Sequence, residues 1–577
     1  MKGLMKYLYN YKKESVLAPL LKMAEAGFEL FVPLVIAGII DVGIAGGDKV
    51  HIYKMGGILL LLAIVGLTAS ITAQYFAAKA ATGFSYELRH GLFKHIQSLS
   101  FTELDEEGTS TLITRMTSDI NQVQNGVNMV LRLFLRSPII VFGAMIMAFT
   151  IDLKSALIFV VTIPVLTFAV VMIMKITIPL YRKVQNKLDA VLGKTRENLT
   201  GVRVIRAFNK EEEEIAQFNQ ETKELNEMQI FVGKISALMN PVTYIIVNVA
   251  TIVLIWTGAI RVDNGAITQG EVVALVNYMS QILVELVKLA NLIITITKAI
   301  ACANRIEAVL NVESSMTSPD KTIGREDTDK NIAVEFRDVS MAYKNAGAEA
   351  ISGLTFKANK GDTIGIIGGT GSGKSTVVNL IPRFYDASKG QVLVDGIDVK
   401  DYNIDELRNK IGNVMQKAVL FQGTIRSNLL WGNENATEDE LIEALKMSQS
   451  YEFVSKMDKG LDEEVAQNGR NFSGGQRQRL SIARALVRKP EILILDDSSS
   501  ALDFATDARL RLALKELKDT TTFIISQRTS SIMHADKIIV LDDGEVAGIG
   551  THDSLLESCQ VYKEIYASQF SGKEKSE

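Results

Sequence analysis

A glycine-rich stretch near the middle of the chain has the residue types and spacing needed to hold phosphate groups. It follows a short apolar run, 363–367, and precedes a helical pattern, so it lies between a predicted strand and a predicted helix. Glycines let successive backbone amides turn toward phosphate oxygens, and the helix adds an electropositive end. Lys374 is expected to neutralise phosphate charge and Ser375 to ligate magnesium. The members of this predicted phosphate loop are Gly368, Gly369, Thr370, Gly371, Ser372, Gly373, Lys374, Ser375 and Thr376.

Two further motifs narrow the chemistry of the predicted nucleotide site. A second apolar run, 492–495, ends in Asp496, a carboxylate suited to holding magnesium. Between the two runs, a serine, two glycines and a glutamine open a helix and form another predicted anion site. These four residues are Ser473, Gly474, Gly475 and Gln476. The phosphate loop alone would indicate only a nucleotidase, whereas the combination is much more specific.

Composition indicates several domains and argues against nucleic acid as a partner. The chain has 577 residues, which is too many for one core, and its net charge of -4 is not that of a nucleic-acid binder. Long uncharged runs lie in the first 300 residues, and charge is concentrated in the remainder. Cys302 and Cys559 are the two cysteines, so neither a disulfide framework nor a metal-ligand spacing is present.

The uncharged runs predict six membrane-spanning helices that precede the predicted nucleotide-binding region. A bilayer core needs roughly 20 apolar residues at helical rise, because lipid offers no hydrogen bonds to an open backbone. The predicted spans lie near 16–40, 55–78, 129–151, 155–180, 235–260 and 272–297. We therefore predict a transmembrane domain at 1–311, a polar linker at 312–331 and a nucleotide-binding domain at 332–577.

Two of the predicted spans contain charged residues, and two explanations are open. Charges inside a span usually face a bundle interior or an aqueous cavity, which suits a translocation path. Alternatively, Lys22 and Glu25 lie near the membrane interface, and Glu285 and Lys288 pair one helical turn apart. The sequence does not decide between these explanations.

The connections between the spans predict which side of the membrane each one faces. The long connections are 79–128 and 175–234, and they are expected to continue as helical extensions. The second contains eleven lysines or arginines, and the amino terminus is also basic. Positive charge is retained on the cytoplasmic side, so both chain ends and both long connections are predicted to be cytoplasmic.

The order and spacing of these motifs resemble those of the ATP-binding cassette (ABC) family, and the resemblance extends over the whole chain. It implies ATP and Mg²⁺ as the bound nucleotide and metal. Ser473 to Gln476 match the signature motif, which reaches the ATP held by the other subunit of a dimer. The resemblance gives further nucleotide-contacting positions: Tyr343 for adenine stacking, Gln416 for magnesium, and Asp503, in the loop that begins at Ser500, for communication between cassettes.

The resemblance is closest to the degenerate half of bacterial heterodimeric exporters, which are often multidrug exporters, and it implies a fold and a location. The expected fold class is a membrane α-helical bundle of six spans with long cytoplasmic extensions, followed by an α/β P-loop NTPase domain of the ABC type. Segments matching 101–119 and 201–208 are expected to form the coupling helices that touch the cassettes. The expected location is the bacterial plasma membrane.

Two positions depart from the pattern of the family's active members. Asp497 stands where they have the glutamate that polarises the attacking water, and its side chain is about 1.5 Å shorter. A misplacement of about 1 Å can cost about a hundredfold in rate, although Asp497 could still serve as an adequate base. Gln527 stands at the position of the switch histidine, and an amide can carry neither a positive charge nor a proton.

We therefore predict a site that binds Mg-ATP and cleaves it slowly, paired in a heterodimer with a half-transporter whose site is complete. The alternatives are a homodimeric exporter or importer with slow hydrolysis, and an ATP-gated channel or regulator on the same fold. Apolar spans with few fixed charges favour amphipathic or hydrophobic cargo such as a drug, lipid or peptide.

Overall fold

The computed structural model of the chain describes residues 2–323, 331–344 and 346–570. The predicted linker and nucleotide-binding domain thus lie partly outside the described residues. The chain divides into two compact units, and each unit is made of two separate stretches of the sequence. One unit comprises Met1–Gln97 and Thr109–Asn311, and the other comprises Ser98–Gly108 and Val312–Glu577.

The first half of the chain is helical throughout. It begins with a 3₁₀ helix, Lys2–Tyr11, which leads into the first α-helix. Two π-helical segments, Ile39–Ile44 and Arg115–Asp119, continue neighbouring α-helices. The α-helices are α1 (Lys12–Gly38), α2 (Lys49–Ser98), α3 (Phe101–Glu107), α4 (Thr109–Thr114), α5 (Ile120–Leu133), α6 (Arg136–Ile151), α7 (Leu153–Thr200), α8 (Val202–Ala207), α9 (Glu211–Ala237), α10 (Met239–Asp263) and α11 (Gln269–Leu310). Of these, α3 belongs to the second unit.

Six continuous helical stretches in the described residues are long and apolar enough to cross a membrane, which confirms the predicted number of spans. They are Gly3–Ile44, Lys49–Ser98, Thr109–Ile151, Leu153–Thr200, Glu211–Asp263 and Gln269–Leu310. Their lengths of 42 to 53 residues correspond to roughly 60–80 Å of helix, about twice the thickness of a hydrocarbon core. Each helix therefore continues well beyond the apolar segment identified from sequence.

Charged side chains lie inside the helical bundle and are paired there. Lys22 of α1 is 5% exposed, and its Nζ donates to Glu25 Oε2 at 2.5 Å and to Ser70 Oγ of α2 at 2.9 Å. Lys288 Nζ lies 2.8 Å from Glu285 Oε1, one helical turn away on α11. Lys22 is thus both paired and buried in the bundle, whereas Lys288 pairs with the buried Glu285 while its own side chain stays accessible.

The second unit contains one antiparallel sheet, one mostly parallel sheet and a two-stranded ribbon. Its strands are β1 (Ile332–Met341), β2 (Ile351–Asn359), β3 (Thr363–Gly368), β4 (Lys389–Val394), β5 (Ile397–Asp398), β6 (Ile411–Val414), β7 (Gly423–Thr424), β8 (Glu464–Val465), β9 (Ile492–Asp496), β10 (Thr521–Ile525), β11 (Lys537–Asp542) and β12 (Glu545–Gly550). Its remaining α-helices are α12 (Lys374–Leu380), α13 (Ile404–Asn409), α14 (Ile425–Leu429), α15 (Glu438–Met447), α16 (Tyr451–Val454), α17 (Gly474–Val487), α18 (Phe504–Leu514), α19 (Thr529–Ile532), α20 (His552–Ser558) and α21 (Gln560–Phe570).

The order of strands in the larger sheet brings the predicted motifs to one edge. The order is β12-β11-β3-β10-β9-β6, with β12 antiparallel to its neighbour and the other five strands parallel. Parallel strands end at the same edge, so the segments after β3, β6, β9 and β10 are neighbours there. The smaller sheet, β2-β1-β4-β5, is antiparallel.

Within the second unit, a buried carboxylate connects the short helix α3 to a distant part of the chain. Glu103 is 3% exposed and accepts hydrogen bonds from the backbone N–H groups of Ser100 and Ser315, each at 3.2 Å. Burial raises the pKa of Glu103, but the hydrogen bonds from the two serines outweigh burial and leave it below its usual value. The aromatic ring of Phe101 also packs against that of Phe384, with centroids 4.8 Å apart.

Candidate nucleotide-binding site

The phosphate loop connects β3 to α12 and takes a conformation that requires glycine at two positions. Gly371 and Gly373 have φ angles of +86° and +88°, a region that side chains with a Cβ disfavour. Between β3 and the buried Ser372, the loop is exposed, so its backbone is accessible to a phosphate. As the sequence pattern predicted, the segment lies between a strand and a helix, β3 and α12, and its role in binding phosphate stays a prediction.

Lys374 is positioned at the centre of this loop. Its Nζ donates to the carbonyl oxygens of Gly368 and Gly369 at 3.1 and 2.5 Å and to Ser372 Oγ at 3.3 Å. Burial lowers the pKa of Lys374, and the carboxylates of Asp496 and Asp497 act in the opposite direction. The ammonium group therefore has loop oxygens as partners that an incoming phosphate can replace.

Oxygen ligands suited to magnesium meet where α12 begins and β9 ends. Ser375 Oγ donates to Asp496 Oδ1 at 3.1 Å, although 121 residues separate them in sequence. Burial raises the pKa of Asp496, and the bond from Ser375 partly offsets that effect. The described residues contain no cluster of three or more His, Cys, Asp or Glu side chains that could hold a metal. The hydroxyl and carboxylate fit Mg²⁺, which prefers oxygen ligands and is usually completed by phosphate oxygens and water.

Asp497 and Gln416 meet beside this pair. Gln416, exposed after β6, places its Nε2 3.5 Å from Asp497 Oδ2. Asp497 has a φ of +46°, a left-handed conformation that aspartate tolerates better than most residues. Burial raises the pKa of Asp497, and the contact with Gln416 lowers it in part.

Gln527 is exposed after β10, the strand next to β9, and thus lies at the same edge of the sheet. Its backbone carbonyl accepts a 2.7 Å hydrogen bond from Gln569 Nε2 of α21. Gln569 Oε1 also accepts from the backbone N–H of Thr529 at 2.9 Å. The carboxy-terminal helix therefore fixes the backbone on which the Gln527 side chain is presented.

Tyr343 lies next to the phosphate loop, where its hydroxyl is 3.0 Å from Thr376 Oγ1. Its ring meets that of Tyr385 edge to face, with centroids 5.2 Å apart. These rings border a cavity of about 510 Å³, which residues of α3 also line. Sequence reasoning predicted a nucleotide contact for Tyr343 and did not single out Tyr385 or its partner Asp105, because no local pattern marks a contact between distant segments.

The signature residues and Asp503 form a second assembly. Ser473 caps α17: its Oγ accepts from the Gln476 N–H at 3.3 Å, and Gln476 Oε1 accepts from the Ser473 N–H at 2.9 Å. Asp503 caps α18 and accepts from the Thr506 N–H at 2.8 Å, and this bond lowers the pKa of Asp503. Gly475 packs closely on Ala501, between the two caps. No hydrogen bond within the described residues joins this assembly to the phosphate loop of the same chain.

Family comparisons agree with this arrangement of helices and nucleotide site. The model of the ABC transporter transmembrane region matches residues 15–286. The ABC transporter model, which covers the nucleotide-binding part, matches residues 351–500.

Relatives match along nearly the entire chain. "Uncharacterized ABC transporter ATP-binding protein YfiB" of Bacillus subtilis is 38% identical, with 100% of both chains covered. "Putative multidrug export ATP-binding/permease protein YgaD" of the same species is 33% identical, with 99% of both chains covered. "ATP-dependent lipid A-core flippase" of Escherichia coli is 28% identical and covers 97% of this chain and 96% of its own.

A solved structure confirms the fold. A bacterial Atm1-family ABC exporter with ATP bound superimposes with a TM-score of 0.79 at 23% sequence identity, covering 98% of both chains. The six-span helical bundle followed by an α/β ATP-binding cassette is therefore the fold class that the sequence predicted.

Fold and site together define a multi-pass membrane transporter with an ATPase domain. The chain belongs to the ABC transporter family, as the full-length match at 38% identity shows. Its cassette binds ATP, and its overall organisation is that of an ABC exporter, a class that functions as dimers in a membrane.

Proposed function

We propose that this chain is the half of a heterodimeric ABC exporter whose own nucleotide site binds Mg-ATP and hydrolyses it slowly. The observation that carries the proposal is the presence of Asp497 and Gln527 at the positions where the family's active members have the glutamate that polarises the attacking water and the switch histidine, beside an otherwise complete set of binding residues. The phosphate loop, Ser375 and Asp496 have the side chains and the geometry expected for binding.

The nucleotide would be held by groups that the fold already positions. Lys374 and the backbone of the phosphate loop bind the phosphates, and Tyr343 stacks on adenine. Ser375, Asp496 and Gln416 hold Mg²⁺, which neutralises charge on the phosphate oxygens when bound. Each of these binding positions carries the residue type that the family pattern has there. We therefore expect the site to retain its affinity for ATP.

Hydrolysis is a more demanding function than binding, since it depends on the orientation of one water molecule. The left-handed backbone at Asp497 and the contact from Gln416 fix the direction of a side chain that is one methylene shorter than glutamate. Gln527 can donate a hydrogen bond to the γ-phosphate, but it supplies no positive charge. The two changes therefore act together to slow cleavage.

The intact signature assembly supports a partner with a complete site. Ser473 to Gln476 would bind the γ-phosphate of ATP held by the partner, and Asp503 would contact the partner's cassette. ATP acts by its greater affinity for the closed pair of cassettes, and hydrolysis at the partner's site resets the pair. ATP at this chain's own site would persist through several cycles.

The cargo and the location follow from the same resemblance. The relatives whose names state a cargo export drugs or flip a lipid, which supports amphipathic or hydrophobic compounds as cargo. Bacterial relatives support the bacterial plasma membrane, and the basic connection at 175–234 supports cytoplasmic termini.

Two substitutions in the assembled transporter test the asymmetry. In the native complex purified with its partner, Ser473→Ala is expected to lower ATP turnover at least about tenfold, because it removes a ligand of the transition state. Asp497→Asn is expected to change turnover less than about twofold, since the Asp497 site contributes little to the total rate. If both variants abolish turnover, the chain works as a symmetric homodimer and the proposal is wrong.

The isolated chain supplies an independent test. The purified full chain is expected to bind ATP and to turn over about a hundredfold more slowly than the double variant Asp497→Glu, Gln527→His. Lys374→Ala serves as the control for contaminating ATPases. Rapid turnover by the unmodified chain that disappears in Asp497→Asn would overturn the degenerate-site assignment.

A further inference from the structure

A cavity inside the transmembrane bundle combines an apolar wall with a charged one. It has a volume of about 320 Å³ and lies between α1, α6 and α11. The apolar wall consists of Val32, Pro33, Ile36, Ile140 and Val284. Such a wall suits an alkyl or ring portion of a ligand, because burial of apolar surface is the general source of affinity in pockets of this size.

The charged wall contains buried acidic and basic side chains that are hydrogen-bonded to one another. Glu285 is 3% exposed; its Oε1 accepts from Arg136 Nη1 at 2.7 Å and from Lys288 at 2.8 Å, and its Oε2 accepts from Ser137 Oγ at 2.7 Å. Arg136 is 8% exposed, and its Nη2 donates to Glu29 Oε2 at 2.7 Å. Both oxygens of Glu285 and both terminal nitrogens of Arg136 are therefore hydrogen-bonded, while Arg136 Nε lies 3.9 Å from Glu25 Oε1. These two buried residues form the base of the charged wall.

Glu29 and Lys288, two further charged residues of this network, differ from Glu285 and Arg136 because their side chains remain accessible. The side chains of Glu29 and Lys288 are 42% and 43% exposed, and both line the cavity. Glu29 uses Oε2 for Arg136, and Lys288 uses one of its three N–H groups for Glu285. The cavity is thus presented with one negative and one positive charge, each with hydrogen-bonding capacity left.

The separation of these charges is limited by the bonds that connect them. Three hydrogen bonds and one guanidinium lie between Glu29 and Lys288, so the two charges are within roughly 10 Å of each other, given C–N bonds of about 1.33 Å. One compact polar group can therefore contact both. A ligand with a single charge would be attracted by one of the two residues and repelled by the other.

Gln281 adds a further polar group at the same place. It lines the cavity, and its buried Oε1 has no hydrogen-bond partner within the described part of the chain. A buried acceptor without a partner costs free energy, and a ligand N–H that reaches it would remove that cost.

We propose that this cavity binds zwitterionic amphiphiles, with the ammonium group at Glu29, the acidic group at Lys288 and the apolar portion against α1 and α6. This rests on the proposed function, because it names the chemical class of the exported cargo. It also explains why both charges are kept in a span: together they leave the wall neutral when the cavity is empty and when a zwitterion fills it.

Binding measurements without ATP test this inference separately from the heterodimer. The full chain is held on scintillation beads in a nonionic maltoside, with radiolabelled dodecylphosphocholine as the probe. Unlabelled dodecylphosphocholine is expected to displace the probe at about tenfold lower concentration than dodecyltrimethylammonium or dodecyl phosphate, each of which leaves one charge unmatched. Equal competition by all three, or a clear preference for one singly charged compound, would overturn the assignment.

Two isosteric or near-isosteric variants assign each end of the ligand. Glu29→Gln is expected to weaken the binding of both ammonium-containing compounds but not that of dodecyl phosphate. Lys288→Gln is expected to weaken the binding of both compounds with an acidic group but not that of dodecyltrimethylammonium. Lys187→Gln, which alters an exposed pair with Glu224, is the matched control and should leave all three unchanged. If the variants at 29 and 288 only lower the unfolding temperature and leave competition unchanged, the network is structural and the proposal fails.

The chain-length dependence separates the two sources of such a ligand. Equal displacement by the water-soluble hexylphosphocholine would assign the site to dissolved zwitterions, whereas displacement that requires the dodecyl chain would assign it to a membrane lipid. Both results support recognition of the zwitterionic group.

Discussion

The hydroxyl of Tyr385 donates a 2.6 Å hydrogen bond to Oδ2 of Asp105 on α3. The ring of Tyr385 also contacts Tyr343, the residue proposed to stack on adenine. Burial, and after it the Asp105 carboxylate, raises the pKa of Tyr385, so the phenol remains the donor at physiological pH. Because α3 lies between α2 and α4 in sequence, this contact joins the surroundings of Tyr343 to the chain segment between two long apolar helices.

Tyr385→Phe removes the hydroxyl and keeps the ring, so it is expected to uncouple cargo from hydrolysis while leaving ATP bound. Hydrogen bonds to charged groups contribute about 1.5–3 kcal/mol, and partial exposure of this one reduces the expected effect to about threefold to tenfold. The measurement is the ratio of ATP turnover with and without saturating amphipathic compound in the reconstituted transporter. ATP affinity should change less than about twofold, since the contact of the ring with Tyr343 is unaffected.

Lys344→Gln is the matched control for that variant. It breaks the ion pair between Lys344 and Glu106, which lies on α3 like Asp105. The side chains of Lys344 and Glu106 are 57% and 32% exposed. Exposed pairs contribute about 0–1 kcal/mol, so the turnover ratio should remain nearly unchanged. Equal losses in the two variants would mean that α3 responds to any perturbation and that the Tyr385 hydroxyl has no special role.

Gly475→Ala is expected to destabilise the cassette because the added methyl has no space. A Cβ at Gly475 would lie 2.9 Å from the backbone oxygen of Ala501, whereas at Gly474 the nearest atom is 4.0 Å away. Overpacking typically costs about 1–3 kcal/mol, and alanine otherwise favours a helix over glycine. Thermal unfolding of the full chain should therefore show a lower transition temperature for Gly475→Ala than for Gly474→Ala. The same temperature for both would show that the Ala501 loop moves aside without cost.

Local features of the fold could be predicted from sequence, and contacts between distant segments could not. The phosphate loop was predictable because its glycines at 371 and 373 satisfy a backbone requirement within nine residues. The Tyr385 to Asp105 bond joins positions 280 residues apart, and that between Arg136 and Glu285 joins positions 149 apart. Neither pair leaves a periodic signal in the chain.

The ends of the spans show a second limit of sequence reasoning. The apolar run predicted a span at 155–180, but α7 continues without interruption to Thr200. Hydropathy reports where the chain can contact lipid, whereas the helix continues for as long as its backbone hydrogen bonds and its packing are maintained. The first and last residues of a span therefore differ from the first and last residues of its helix.

Arg136→Ala is expected to destabilise the transmembrane bundle strongly, because it leaves the buried Glu285 without its guanidinium partner. Breaking a buried pair by removing one partner costs about 3–5 kcal/mol, and Arg136 also bonds Glu29 of α1. Thermal unfolding of the full chain in detergent is the measurement. Lys187→Ala, in an exposed pair with Glu224, should change stability by less than about 1 kcal/mol.

A double substitution distinguishes charge burial from simple loss of packing. Arg136→Met with Glu285→Leu replaces the pair by apolar side chains of similar size, and such replacements are often neutral or better. The double variant should therefore recover much of the stability that Arg136→Ala loses. If it is as unstable as Arg136→Ala, the network contributes through its hydrogen bonds to Ser137 and Lys288 and not through the charge pair.

Ser375→Ala and Thr376→Val are expected to affect ATP binding in different ways, although the two residues are adjacent. The Ser375 hydroxyl faces Asp496 Oδ1 at 3.1 Å, while that of Thr376 contacts the Tyr343 hydroxyl at 3.0 Å. If Ser375 is a magnesium ligand, its alanine variant should lose at least about tenfold of the gain in ATP affinity that Mg²⁺ provides, since loss of even an outer partner can cost 10–100-fold. Thr376→Val removes the contact with Tyr343, the residue proposed to stack on adenine. It should therefore weaken ATP binding equally with and without Mg²⁺. Equilibrium binding of a fluorescent ATP analogue in Mg²⁺ and in EDTA separates these outcomes, and an undiminished effect of Mg²⁺ in Ser375→Ala would exclude that hydroxyl as a ligand.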